Sequence, residues 1–293
     1  MQILAAYAAV VLIWSTTPLT IQWSSVGVNF LFGVASRMVI GVTLLLCLHL
    51  ILRKKLRKDK AALHMYLAGG LSLWIAMSGV YWGAQYIPSG WISVLFGTTP
   101  IVTGLFAMLW LNENVFTPIK LLGLITGILG LVIMFFSGSL QTDASVLGIV
   151  LILVSVITHG SSAVWIKRIN AGLDGMTATT GSLLIATPLF VLNWWVLDGV
   201  WPTSIPIKTA AAILYLGVFG SVIGFTLYYS LLRSVSPNRL ALITLMTPVI
   251  ALMLGQWVNQ ETVTTSVWIG SGIILLGLAL YEWGDGMFSS MRF

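Results

Sequence analysis

The sequence predicts an all-α integral membrane protein of ten transmembrane helices, arranged as two inverted five-helix repeats. Three observations carry that expectation: the composition, the spacing of the apolar runs, and an internal repeat. Of 293 residues, 58% are hydrophobic and 8% are charged, and the mean hydropathy is +1.00. An ordinary soluble domain is about 25% charged. So few charges cannot cover the surface of a soluble fold this size, and the same numbers exclude disorder. A lipid bilayer is the solvent that suits this chain.

A spanning helix needs roughly 20 apolar residues. Apolar runs set against turn residues give spans at 3–21, 28–51, 65–87, 89–111, 118–137, 146–167, 176–197, 208–232, 238–258 and 264–283. The connections are short, so neighbours in sequence are antiparallel. The first run opens without a basic leader or a small-residue cleavage site and reads as a retained helix. Cys47 is the single cysteine, so no disulfide forms within the chain.

Charge sets the orientation. With the N-terminus inside, the fourteen Lys and Arg include one on the outer loops, Lys208, and one within a helix, Arg37. The rest fall on the inner side, densest from Arg53 to Lys60. This is the positive-inside pattern, and it places both termini in the cytoplasm. The net charge of +6 is therefore topological and gives no sign of nucleic-acid binding. The 53–60 cluster reads as an anchor or as a site for anionic lipid.

The chain repeats itself. A shift of 148 lays residues 69–113 on 217–261 without a gap: Gly69 on Gly217, Tyr81 on Tyr229, Thr99-Pro100 on Thr247-Pro248, Glu113 on Glu261. Asn112 falls on Gln260, and one deletion later Gly123 falls on Gly270 and Gly130 on Gly277. The repeats divide the chain at 1–141 and 142–293. Five helices per repeat make the second copy enter from the opposite face. Inverted repeats mark alternating-access carriers, with the solute near the midplane between the halves.

Several of these residues together resemble the EamA family of the drug/metabolite transporter superfamily. They are Trp14-Ser15-x-x-Pro18, Ala35-Ser36-Arg37, the run Gly97–Glu113 with its Thr-Pro pair, its second copy Pro237–Glu261, and the glycine-spaced fifth and tenth helices. The resemblance implies an inner-membrane carrier whose central cavity is lined by helices 1–4 and 6–9, with 5 and 10 peripheral. It also implies export of amino acids or related small metabolites, though some members import. One position departs: His159 stands where members often carry a Trp equivalent to Trp14.

The residues suggest roles of their own. Pro18, Pro100 and Pro248 lie inside helices, where proline removes a backbone bond and kinks the chain. They are candidate hinges or notches, with Thr98, Thr99 and Thr247 adding hydroxyls; static packing is the other reading. Gly79/Gly83 and Gly220/Gly224 form small-xxx-small pairs suited to close helix packing. Arg37 is a charge inside hydrocarbon, costing at least about 2.5 kcal/mol on insertion scales, so it needs a partner. Two readings stand: a clamp on a substrate carboxylate, or a structural pair with a helix-end group such as Glu261.

His159 is the histidine deep in a helix, placed for proton coupling or for neutral hydrogen bonding. Glu113 and Glu261 close their helices at opposite faces, as caps, anchors or a gate pair. Trp14, Trp74, Tyr81, Trp82, Tyr228 and Tyr229 lie deep enough to line an apolar cavity, or to pack against lipid. The sequence shows no Walker motif, metal-ligand cluster or nucleophilic triad, so it supports neither a cofactor nor catalysis. The expected partners are a small-molecule solute and the bilayer. Alternatives to export are uptake or efflux of organic cations and, from a different class, a scaffold subunit that moves nothing.

Overall fold

The computed structural model describes residues 2–112, 117–135, 143–241 and 243–289. Helices α1 (Gln2–Trp23), α2 (Phe30–Ile51), α3 (Lys60–Gly83) and α4 (Ser89–Leu111) come first. Then follow α5 (Pro118–Phe135), α6 (Asp143–Ile169) and α7 (Gly175–Leu197). The chain ends with α8 (Ile207–Ser234), α9 (Arg239–Val258) and α10 (Thr265–Ser289). The described residues hold no strand, and eight of these helices are long and apolar enough to cross a membrane. In α5 and α10 the apolar runs are shorter, Pro118–Gly130 and Thr265–Tyr281. The chain is a multi-pass membrane protein.

Local chemistry fixes the helix starts. Asn29 caps α2 by accepting from Leu31 N at 2.9 Å, and Asp59 caps α3 by accepting from Ala62 N at 3.4 Å. Asp174 caps α7, taking the Thr177 N–H at 3.1 Å and its hydroxyl at 2.7 Å. The Asp59 cap starts α3 at Lys60, five residues before the apolar run that predicted it. An apolar count does not see a polar first turn that a cap stabilises.

Two helices are irregular. α4 is broken at Gly97–Thr98, between Ser89–Phe96 and Thr99–Leu111. α8 opens into a nine-residue π-helix over Leu216–Gly224, a local widening that the apolar pattern does not reveal.

The bundle is apolar outside and buries small polar side chains within an apolar core. Val150, Val154 and Ile157 stand exposed along one face of α6, whereas Ser15, Thr179, Thr180 and Ser221 are fully buried. In hydrocarbon the drive between helices is close packing, which small residues permit. A Cβ at Gly70 of α3 would lie 2.5 Å from Ile185 of α7, and one at Gly83 would lie 3.0 Å from the Gly148 carbonyl of α6. α5 and α10 pack chiefly on each other through the same device, since a Cβ at Gly123 would lie 2.5 Å from Gly277 O. That leaves α1–α4 and α6–α9 to enclose the centre, with α3 against α6 and α7, α2 against α7 and α8, and α9 against α1 and α4.

Candidate solute cavity

The enclosed centre holds about 890 Å³ of empty space, its opening included. α1 supplies Trp14 and Pro18, α2 supplies Arg37, α6 His159, and α8 Tyr228 and Tyr229. These six sequence-selected residues meet in one cavity.

Their rings form a cluster. The Trp14 centroid lies 5.6 Å from His159, edge to face, and 5.1 Å from Tyr228. His159 lies 5.3 Å from Tyr228 and 6.1 Å from Phe96. Such separations suit attractive ring pairs, and the cluster leaves ring faces and edges for a flat or apolar guest.

Arg37 is the charged side chain of the cavity wall and is 1% exposed. Its Nε–H donates to Ser221 Oγ at 2.9 Å, across to the π-helical turn of α8. Its Nη1 is buried and meets no acceptor. Gly220 makes room for the guanidinium, because a Cβ there would lie 2.9 Å from Nη2. The expected alternative pair with Glu261 is not made. Glu261 instead accepts from Ser89 Oγ at 2.6 Å and from Asn259 Nδ2 at 2.9 Å.

The structure leaves other candidates outside the cavity wall. Trp82 is 40% exposed beside Phe30, and Tyr81 is fully buried with an unpartnered hydroxyl. Trp74 is half-buried and does not line the cavity. Thr99 is turned onto its own backbone, donating to Phe96 O at 2.5 Å. That carbonyl is the one that Pro100, lacking an N–H four residues on, leaves without its helical bond. Thr247, which does line the cavity, stands in the same relation to Pro248, donating to Thr244 O at 3.4 Å. Pro248 Cγ would lie 3.6 Å from a Cβ on Gly97, so the turn of α9 packs on the break in α4. Glu113 lies outside the described residues.

The sequence reading did not select Phe96, Ser72, Ser93 or Ser221, which line the cavity or hold Arg37. The available signal for Ser221 was its place in the Gly217–Gly224 run, where small residues clear space for a large partner. Tyr229 also borders a second, smaller cavity of about 360 Å³ lined by Lys167, Asn170 and Arg233. It is the side chain shared by the two.

A multi-pass helical protein with a hollow among its helices, lined by aromatic rings and one buried arginine, has the build of a transporter. The EamA-like transporter family matches residues 1–136 and 146–283, and the chain belongs to it. The uncharacterized transporter YoaV of Bacillus subtilis (strain 168) is 24% identical over 94% of this chain and 95% of its own. The uncharacterized inner membrane transporter YedA of Escherichia coli (strain K12) is 26% identical over 97% and 91%. A solved crystal structure, 18% identical, superimposes at a TM-score of 0.72 over 95% of this chain and 97% of that one, which shows a shared fold.

Proposed function

We propose that this protein is a secondary carrier of the inner membrane that exports amino acids or related small metabolites by alternating access. The observation that carries the reading is the central hollow, walled by the Trp14–Tyr228–His159 rings and holding one buried charge, Arg37. A packed scaffold has no use for such a void, because empty space forfeits contacts.

In this reading the halves 1–141 and 142–293 are inverted repeats that rock about the cavity, with both termini in the cytoplasm. Two features support it. Asn112 and Gln260, equivalent under the shift of 148, both lie just past the ends of their helices in the left-handed region, at φ 55° and 54°. The Thr99–Phe96 and Thr247–Thr244 hydroxyl bonds recur at the same spacing beside Pro100 and Pro248. Pro18, Pro100 and Pro248 are the hinges. Glu261 with Gln22, Asn259 and Ser89 is the gate at one end, and Tyr229 is the gate at the other. A cation substrate is disfavoured, since the charge that lines the cavity is itself positive.

The test is counterflow in liposomes. Vesicles holding purified protein are preloaded with one member of an amino-acid and organic-acid panel, then given the labelled form outside. Transient accumulation above empty vesicles supports the carrier. Inert vesicles across the panel favour a scaffold.

A further inference from the structure

We propose that the cavity recognises its solute by a carboxylate, bound at the free Nη1 of Arg37, and needs no cationic group on it. This rests on reading the cavity as the solute site. A guanidinium does not shed its proton, so Arg37 is charged wherever it sits. A buried charge is stable only when paired and hydrogen-bonded. Here Nε is satisfied by Ser221, Nη1 is buried without an acceptor, and the side chain is 1% exposed.

None of the carboxylates whose side chains are described fills that vacancy. Asp59 pairs with Arg57 at 2.8 Å, and Asp174 caps α7. Asp198 takes Asn29 at 2.8 Å, and Glu261 takes Ser89. The missing partner is then an anion that comes and goes, admitted from the cavity that Arg37 lines once the wall over the buried Nη1 moves aside. A single unpartnered nitrogen suits the compact monoanionic charge of a carboxylate better than a phosphate dianion, which calls for several donors.

The rest of the wall sets the rest of the solute. Trp14, Tyr228, His159 and Phe96 offer ring contacts to a flat or apolar body. Among the described residues no Asp or Glu lines the cavity to receive an ammonium. The class this defines is a monocarboxylic acid with an apolar, ring-sized tail, of which a zwitterion is a tolerated variant and not the preferred one.

Isothermal titration of the purified protein with four probes tests this: 3-phenylpropionate, its amide, phenylalanine and 2-phenylethylamine. The acid is expected to bind saturably, the amide about tenfold or more weakly, and the amine not at all. Phenylalanine is expected to bind no tighter than 3-phenylpropionate. Arg37→Gln should abolish the preference for acid over amide, while Trp14→Ala should weaken both alike.

Equal binding of acid and amide, binding of the amine, a clear preference for phenylalanine, or no binding of the acid at millimolar concentration each overturns the proposal. The wild-type comparison decides even if Arg37→Gln does not fold. Binding requires no flux, so the two readings fail separately. A protein that prefers the acid yet is inert in counterflow keeps the Arg37 assignment and loses the carrier. Flux of solutes without an acid preference does the reverse.

Discussion

Glu261 caps a helix to which it does not belong. Its Oε1 accepts from the Ser89 hydroxyl at 2.6 Å and the Ser89 N–H at 3.2 Å, and Oε2 accepts from Gly90 N at 3.4 Å. The residue before α4 is Pro88, which offers no side-chain cap. A carboxylate at a helix N-terminus satisfies orphan N–H groups and complements the helix dipole. Gln22 and Trp23 of α1 join through Asn259, at 3.3 and 2.9 Å. One acid thus ties α1, α4 and α9 at one end of the bundle.

Glu261→Ala should therefore lower stability by about 1–2 kcal/mol, read as a fall in melting temperature in detergent. Glu261→Gln, which keeps one acceptor, should lose less. If the cluster closes that end of the cavity, a cysteine at Ser93 in a Cys47→Ala background should become more reactive to a bulky thiol reagent in the Ala variant. Unchanged melting and labelling would assign the cap no role.

Thr99 and Pro100 make a separable pair. The Thr99 hydroxyl serves the Phe96 carbonyl, which Pro100 cannot. Thr99→Val should leave that part-buried carbonyl unserved and destabilise by about 1 kcal/mol. Pro100→Ala supplies an N–H four residues after Phe96 and should largely rescue Thr99→Val. Melting of the two singles and the double gives the cycle. Additive losses would mean that the hydroxyl does not replace the missing bond.

The apolar runs made the helices legible, because a bilayer requires long apolar segments and little else resembles them. Three residues of the cavity wall, Arg37, His159 and Pro18, were legible for a related reason: a charge, a histidine or a proline inside hydrocarbon is expensive and stands out. Aromatic depth was a poorer guide. Tyr81 and Tyr229 are equivalent in the repeat, yet Tyr81 is buried in packing and Tyr229 borders two cavities. Which face of a helix looks inward depends on local winding, and the π-helical turn over Leu216–Gly224 and the break at Gly97 both alter it. The serines of the wall gave no signal, since a serine in a membrane helix usually bonds its own preceding turn, as Ser15 does to Val11 O at 2.7 Å.

Acid should selectively unseat the start of α7. Burial alone would raise the Asp174 carboxyl, but the two bonds from Thr177, helped by Lys54 and His49, outweigh it and hold it below the usual value. A carboxyl depressed in the folded state contributes stability that is present above its unfolded value of about 4 and lost as pH falls through the folded one. At neutral pH Asp174→Ala should cost about 0.5–1 kcal/mol, the low end for a cap, because the side chain is largely exposed. The gap in melting temperature between wild type and variant should hold steady down to about pH 4 and close below it. A gap that persists at pH 3 would locate the effect in packing instead.

Gly220 tests the seat of Arg37 without touching its charge. A Cβ there would lie 2.9 Å from Nη2 and 3.5 Å from Cζ. An arginine tip usually swings aside from such a clash. This one is held by Ser221 and is 1% exposed, so the clash must displace a buried charge. Gly220→Ala should cost about 1–3 kcal/mol in the wild type. In an Arg37→Met background, where the nearby nitrogen is gone and the side chain bends freely, the same substitution should cost little. The two effects should be coupled by about 1 kcal/mol or more, with the double variant melting higher than additivity allows. Zero coupling would mean that the guanidinium does not rest on Gly220. The free Nη1 would then point elsewhere, and the proposed carboxylate site would lose its seat.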